Sequence, residues 1–385
     1  MEVFCMIHTL ENDQLRVKIA DHGAELSEIY DKTNDRQVLW NADPAYWKRH
    51  APVLFPNVGR YYEDHCLING NSYTSGQHGF ARDMEFTCTD KNDTSVTHLL
   101  ESTAGTQKIW PYAFQLSITH TLNGRDLTVS WKVVNKDQET MYFTIGAHPA
   151  FNVPVLPDTV QSQYHLTFNG EKELTYCLLA PNHGTAIPDK TYTFSLTNNS
   201  CPIDEHMFDH DALVFDNGQI TKAGIALPDG TPYVEISCEG FPNFGIWAAV
   251  GAPFVCLEPW MGRCDNTGYN GELSDKPGIN VLEPAKTFEK SYGGPDVEST
   301  DKTLWRKLLR EARFWNLLLY TRPIYRIRQK TAGNCYVPMY CILFLRILPS
   351  HRSLLCISFH QKEYGQSSPV RLVELLLRRH RIRER

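Results

Sequence analysis

No two of the 11 cysteines in this 385-residue chain stand at C-x-x-C spacing, and their intervals follow no regular pattern. Neither a zinc ribbon nor a disulfide framework is indicated, and reduced thiols in a cytoplasmic protein are expected. No apolar run reaches the roughly 20 residues that span a bilayer, so no transmembrane segment is expected. The opening residues Met1-Glu2-Val3-Phe4-Cys5-Met6 lack the basic end and apolar stretch of a secretory signal. Positive charge is scarce in residues 1–300, which carry 20 Lys and Arg against 39 Asp and Glu. That balance excludes nucleic acid as the natural partner of this body. Helical periodicity over a dozen residues is also missing before residue 300, which argues against βαβ units.

What is present is strand patterning. Leu15, Val17 and Ile19 alternate with polar residues, as do Phe114, Leu116 and Ile118, and then Leu127, Val129, Trp131 and Val133. Asn123-Gly124 between the last two runs is a strong hairpin signal. Further strands are expected at Tyr164 to Phe168, Tyr192 to Leu196, Leu213 to Phe215, Val234 to Cys238 and Phe244 to Ala248, with turns at Asn217-Gly218 and Asp229-Gly230. The reading is an all-β chain, a large antiparallel β-sandwich over residues 1–300.

After Thr300 the character changes. Residues 301–385 carry 18 Lys and Arg against 5 Asp and Glu, a basic tail whose composition sets it apart from the acidic body. Leu304, Leu308, Leu309, Ala312 and Trp315 fall at helical spacing among arginines and lysines. The pattern fits a basic amphipathic helix for an acidic partner or membrane surface, and equally a weakly ordered or partly helical appendage. The apolar run Tyr336 to Leu345 ends at Arg346, too short to span a bilayer.

Five stretches of the body combine turn-forming residues with reactive side chains. Gly146-Ala147-His148-Pro149-Ala150-Phe151-Asn152 sets a histidine at the end of an apolar strand, with Pro149 restricting its backbone. Pre-positioning of this kind suits an acid or base, although a strand-ending histidine without function has the same appearance. Val255-Cys256-Leu257-Glu258-Pro259-Trp260 presents a carboxylate where Pro259 is expected to stop a strand. Desolvation there raises a carboxyl pKa toward neutrality, and Trp260 offers an apolar face for a sugar ring. Arg263 nearby is the alternative, a simple salt-bridge partner for Glu258. Phe55-Pro56-Asn57-Val58-Gly59-Arg60 and Gln77-His78-Gly79-Phe80-Ala81-Arg82 add two guanidinium forks and a second imidazole. Asp209-His210-Asp211 precedes a strand; His206 and His210 stand four apart, but no Cys or Glu completes a tetrahedral set, so no metal is expected.

In that order, Gly59-Arg60, His78-Gly79-Phe80-Ala81-Arg82, His148-Pro149-Ala150-Phe151-Asn152 and Leu257-Glu258-Pro259-Trp260 resemble the aldose 1-epimerase (galactose mutarotase) family, and within it the LacX-type branch, over about residues 6–295. The resemblance implies a galactose mutarotase-like supersandwich that interconverts the α and β anomers of a free sugar with no obligatory cofactor. It further implies that His148 is the general acid, Glu258 the general base, and that Arg60, His78 and Asp211 bind substrate, with Asp209 the alternative to Asp211; Trp260, by its apolar face, and Arg82 are the other candidate substrate ligands. The run Gly79-Phe80-Ala81-Arg82 is also similar to that of hexose-6-phosphate mutarotases, so Arg60, Arg82 and Arg263 are candidate ligands for a phosphosugar. A sugar-binding protein without turnover is the reading from another class. Glycoside hydrolysis by a Glu258 and Asp211 pair would leave both histidines unexplained. For a mutarotase the expected layout places His148 and Glu258 across the width of a pyranose.

Overall fold

The computed structural model describes residues 6–169 and 173–293, together with three short strands of the C-terminal region. The chain divides into two compact units, Met1–Asp296 and Val297–Arg385. In the first, the described regular structure is antiparallel strands and five three-residue 3-10 turns. In the second, Leu343–Phe344, Leu354–Ile357 and Arg378–His380 pair antiparallel. The helix expected around Leu304 to Trp315 lies outside the described residues.

Alternation decides the body. Phe114–Asn123 buries every second residue, and its partner Asp126–Asn135 pairs with it over the full length of both strands. The connecting turn is shifted by one residue from an Asn-Gly loop: Asn123 and Asp126 face each other, so Gly124 and Arg125 form the loop. Only Gly124 takes positive φ there, at 60°, as a type II′ turn requires of its first position.

Two large sheets carry the sandwich, one of nine strands and one of eight, beside a four-stranded sheet formed by residues 7–37. Aromatic rings from both large sheets close the space between them. Phe55, beside the short strand Val53–Leu54 of the eight-stranded sheet, meets Phe114 of the nine-stranded sheet at 5.3 Å, and Phe168 meets Phe194 of the opposite sheet at 5.8 Å. Each fully buried phenyl ring contributes roughly 1.5–3 kcal/mol of transfer free energy.

Pro259 does not stop its strand. Phe254–Met261 runs through it, paired with Asn243–Trp247 along one flank. The amide of Leu257 points to the other flank, to the carbonyl of Pro149, and by the two-residue repeat of a strand the missing N–H of Pro259 lies on that flank too. There the neighbouring chain is itself interrupted, so the proline removes no ladder hydrogen bond. The apolar strand expected to end at His148 is likewise broken: Met141–Phe143 pairs with Asn280–Leu282, whereas Ile145–Ala147 joins the eight-stranded sheet.

Candidate active site

The interruption builds the site. Ile145 and Gly146 pair with Met261 and Trp260, and Ala150 to Asn152 pair with Cys256 to Phe254. His148 and Pro149, between those segments, therefore face Leu257 to Pro259 without a ladder. His148 Nε2 comes within 3.3 Å of Glu258 Oε2, with both residues buried. The two groups stand side by side, closer than the pyranose width expected from the sequence, so a ring has to sit against the pair and not between its members. Trp47 stacks on the His148 ring at 4.8 Å, and Trp247 meets it edge-on at 5.6 Å, fixing the imidazole plane.

Both groups line a pocket of about 510 Å³ together with His78, Arg82, Asp211, Trp260, Trp47 and Gln77. His78 adopts φ of 68° and is followed by Gly79 at 67°. A Cβ on Gly79 would stand 2.2 Å from the carbonyl oxygen of Phe55, so glycine is required there. The bend turns the His78 ring onto the neighbouring Phe55–Arg60 loop, where Nδ1 accepts a hydrogen bond from the Gly59 amide at 3.0 Å. With Nδ1 accepting, the proton of the neutral ring resides on Nε2, which is thereby a donor.

Burial dominates the electrostatics. It pushes His148 down to about 3, helped by the positive charges of Arg82 and Arg49. Burial also holds His78 well below 6.5, with His148 and Arg82 adding to it. Glu258 is driven the other way, well above the usual carboxylate range, by burial and then by the negative charge of Asp211. The empty site thus favours a neutral pair in which Glu258 carries the proton. Among the described residues, eight buried side-chain polar atoms lack a hydrogen-bond partner of good geometry, and four of them, on Arg82, His148, Glu258 and Trp260, belong to residues of this one pocket. Glu258 still feels the Trp260 indole as a donor, so Arg82 and His148 are the groups best placed to take a polar ligand.

The remaining candidates separate. Asp211 and Asp209 both line the pocket, but Asp209 is paired at 3.0 Å with the exposed His206, whereas Asp211 acts on Glu258. Arg60 bonds Asp64 at 2.7 Å and lines an adjoining pocket of about 680 Å³. Arg263 is held by Asp216 at 2.8 and 3.0 Å and by Asn266 at 2.9 Å, so it neither pairs with Glu258 nor faces a ligand. Trp260 lines the pocket but is only 5% exposed, leaving little free face for stacking. Trp47 and Trp247 are pocket residues that the sequence does not mark, and Gln77, which opens the Gln77–Arg82 run, lines the pocket as well. The run Tyr46-Trp47-Lys48-Arg49-His50 carries an aromatic and basic signal but no turn punctuation to single it out. His148, Cys256 and Glu258 also place three potential metal ligands within 4.8 Å of one another. Burial raises both the Cys256 thiol and the Glu258 carboxyl well above their ordinary ranges, which opposes the deprotonation that ligation requires.

Gly245 shows how tightly the floor is packed, because a Cβ there would stand 2.3 Å from the Trp260 ring. Gly245 is also the register partner of Glu258. Gly245→Ala is therefore expected to displace the indole, lower the melting temperature by several degrees and reduce turnover. Overpacking of this kind costs about 1–3 kcal/mol. Unchanged melting and rate would show that the floor yields.

A family model described as aldose 1-epimerase matches residues 6–268. The plasmid-encoded protein LacX of Lactococcus lactis subsp. lactis is 32% identical over 291 residues, covering 74% of this chain and 97% of the relative. Among solved structures, a galactose mutarotase related enzyme from Lactobacillus acidophilus superposes with a TM-score of 0.71 at 31% identity, covering 76% of this chain and 98% of that one. A galactose mutarotase-like protein from Lactobacillus casei gives a TM-score of 0.69 at 29% identity, with 75% and 99% covered.

Proposed function

The chain belongs to the aldose 1-epimerase family, and from that premise we propose that it interconverts the α and β anomers of a free hexose by general acid and base catalysis. The observation that carries this reading is the contact of His148 with Glu258 in a shared pocket. The anomeric hydroxyl and the ring oxygen are bonded to the same carbon, so two groups side by side can address both. In the charged arrangement, the Glu258 carboxylate takes the proton of the C1 hydroxyl while the His148 imidazolium protonates the ring oxygen. The C1–O5 electron pair leaves with O5, C1 becomes a carbonyl, and rotation about C1–C2 exposes its other face. Closure returns the O5 proton to His148 and the Glu258 proton to O1. Ring opening leaves protonated Glu258 and neutral His148, which is the arrangement that burial favours in the empty site. One mobile proton shared by the pair thus serves both directions. His78 Nε2–H and the Asp211 carboxylate are suited to hold sugar hydroxyls as donor and acceptor, and Arg82 to hold a further oxygen.

A phosphosugar is the second reading, favoured by the buried Arg82, whose Nε has no partner. The free hexose is preferred because Arg263 and Arg60 are engaged elsewhere, leaving one guanidinium where bidentate phosphate recognition would draw on several. The free thiols of the seven described cysteines support a cytoplasmic location.

Polarimetry on freshly dissolved α-glucose, α-galactose and their 6-phosphates tests the proposal. Acceleration over buffer is expected, greater on the free sugars. Rates no faster than buffer on every substrate would remove the catalytic reading and leave a binding protein. A preference of about 10-fold or more for the 6-phosphates, abolished by Arg82→Gln, would move the assignment to phosphosugars.

A further inference from the structure

Outside the pocket, three strands bring metal-ligating side chains to one place. His8 lies on Ile7–Glu11 of the four-stranded sheet; Cys88 and His98 lie on Thr87–Lys91 and Ser95–Glu101 of the nine-stranded sheet, where they are register partners. Opposite residues of an antiparallel pair present their side chains on the same face. A ring nitrogen of each histidine and the Cys88 sulfur all lie within 4.8 Å of one another. Asp21, just after Leu15–Ala20, brings one carboxylate oxygen to 2.8 Å from His8 Nε2 and 3.1 Å from His98 Nε2. His98 is fully buried and directs Nε2 to this carboxylate. None of these residues lines the catalytic pocket.

We propose that His8, His98, Cys88 and Asp21 form a binding site for one zinc-class divalent ion, joining the four-stranded sheet to the edge of the nine-stranded one. Two imidazoles, a thiolate and a carboxylate form a ligand set of the intermediate softness that suits Zn²⁺. Once the Cys88 thiol releases its proton to solvent, thiolate and carboxylate together neutralise the ion. With bonds of about 2.0–2.3 Å, tetrahedral ligands stand about 3.3–3.7 Å apart. The carboxylate contacts therefore have to open by a few tenths of an ångström, and the thiol, which lies within 4.8 Å of both imidazoles, to close by up to about one; Asp21 stands outside that three-residue set and joins it through its contacts with the two imidazoles. Cys88 is partly exposed while both histidines are buried, which gives the ion an entry side. Spacing in the chain did not reveal the set because its members are spread from position 8 to position 98 on four separate strands or their ends.

The test uses the full-length protein, with Zn²⁺ competed against a chromophoric chelator and Co²⁺ as a spectroscopic probe. The expected result is one ion per chain, visible absorption bands of four-coordinate Co²⁺, and a thiolate-to-cobalt charge-transfer band. Cys88→Ser should abolish that band, weaken Zn²⁺ binding by at least about 10-fold and leave sugar turnover unchanged. His8→Gln, altering a different strand, should weaken binding to a similar extent, and Zn²⁺ should raise the melting temperature of the parent but not of either variant. A parent that loses all Zn²⁺ to the chelator, or a Cys88→Ser variant with the parent's affinity and cobalt spectrum, would overturn the site; the latter would place the ion elsewhere, for instance on His148, Cys256 and Glu258.

Discussion

Replacing Glu258 with glutamine is expected to lower kcat by at least about 10²-fold, the scale of one positioned acid or base, while making the protein more resistant to heat at neutral pH. The two effects have one cause. Burial and Asp211 raise the Glu258 pKa well above its ordinary value of 4.5. Below pH 4.5 the carboxyl is protonated in folded and unfolded chains alike, and burying it carries no charge penalty. As pH rises past that value the unfolded chain releases its proton while the buried acid keeps it, so the contribution of this group to stability falls until pH reaches the folded pKa. The amide of the Glu258→Gln variant has no such proton to release. Melting curves of parent and variant should therefore coincide near pH 4.5 and separate above it, with the variant higher. A parent that stays the more stable of the two at pH 7 would mean that Glu258 is buried as a carboxylate with a compensating partner. Anomer exchange measured by NMR magnetisation transfer reads the rate in the same samples.

His148→Asn should cost a similar factor, at least about 10²-fold in kcat, because the amide keeps a polar head in the slot but neither gives nor takes a proton. The two groups stand 3.3 Å apart, and in the proposed reaction they exchange one proton, so they should not act independently. The double variant is expected to be no slower than the worse single variant, as is usual for groups that work as a unit. Multiplicative losses, about 10⁴-fold in the double variant, would show two separate catalytic roles. Near-normal activity of His148→Asn would remove the imidazole from the reaction.

The strands and the two residues of the proposed acid and base pair are legible because both depend on local patterning. Period-two burial marks Phe114–Asn123 without reference to any other segment, and Pro149 marks the end of its strand segment whatever lies beside it. The misread features depend on distant partners. Pro259 looked like a stop signal because the break in the neighbouring chain at His148, more than a hundred positions earlier, cannot be seen from its own surroundings. Arg263 looked available because its bidentate partner Asp216 lies 47 positions away. Trp47 and Trp247, which set the plane of the imidazole, carry the same signal as any core tryptophan. Their role follows only from the two chain segments that close on His148. The order of the turn-punctuated motifs indicated which residues meet, but not that acid and base would touch.

Glu258 sits in a strand clamped along one flank by Asn243–Trp247 and gripped at both ends of the other. His148 occupies the unladdered gap opposite, supported through the face of one indole and the edge of another. The pair therefore has one stationary jaw and one compliant jaw. The proposed base is thus held by backbone ladders, and the proposed acid by side-chain packing against two indoles, so substitution of either tryptophan should disturb His148 and leave the Glu258 strand in place.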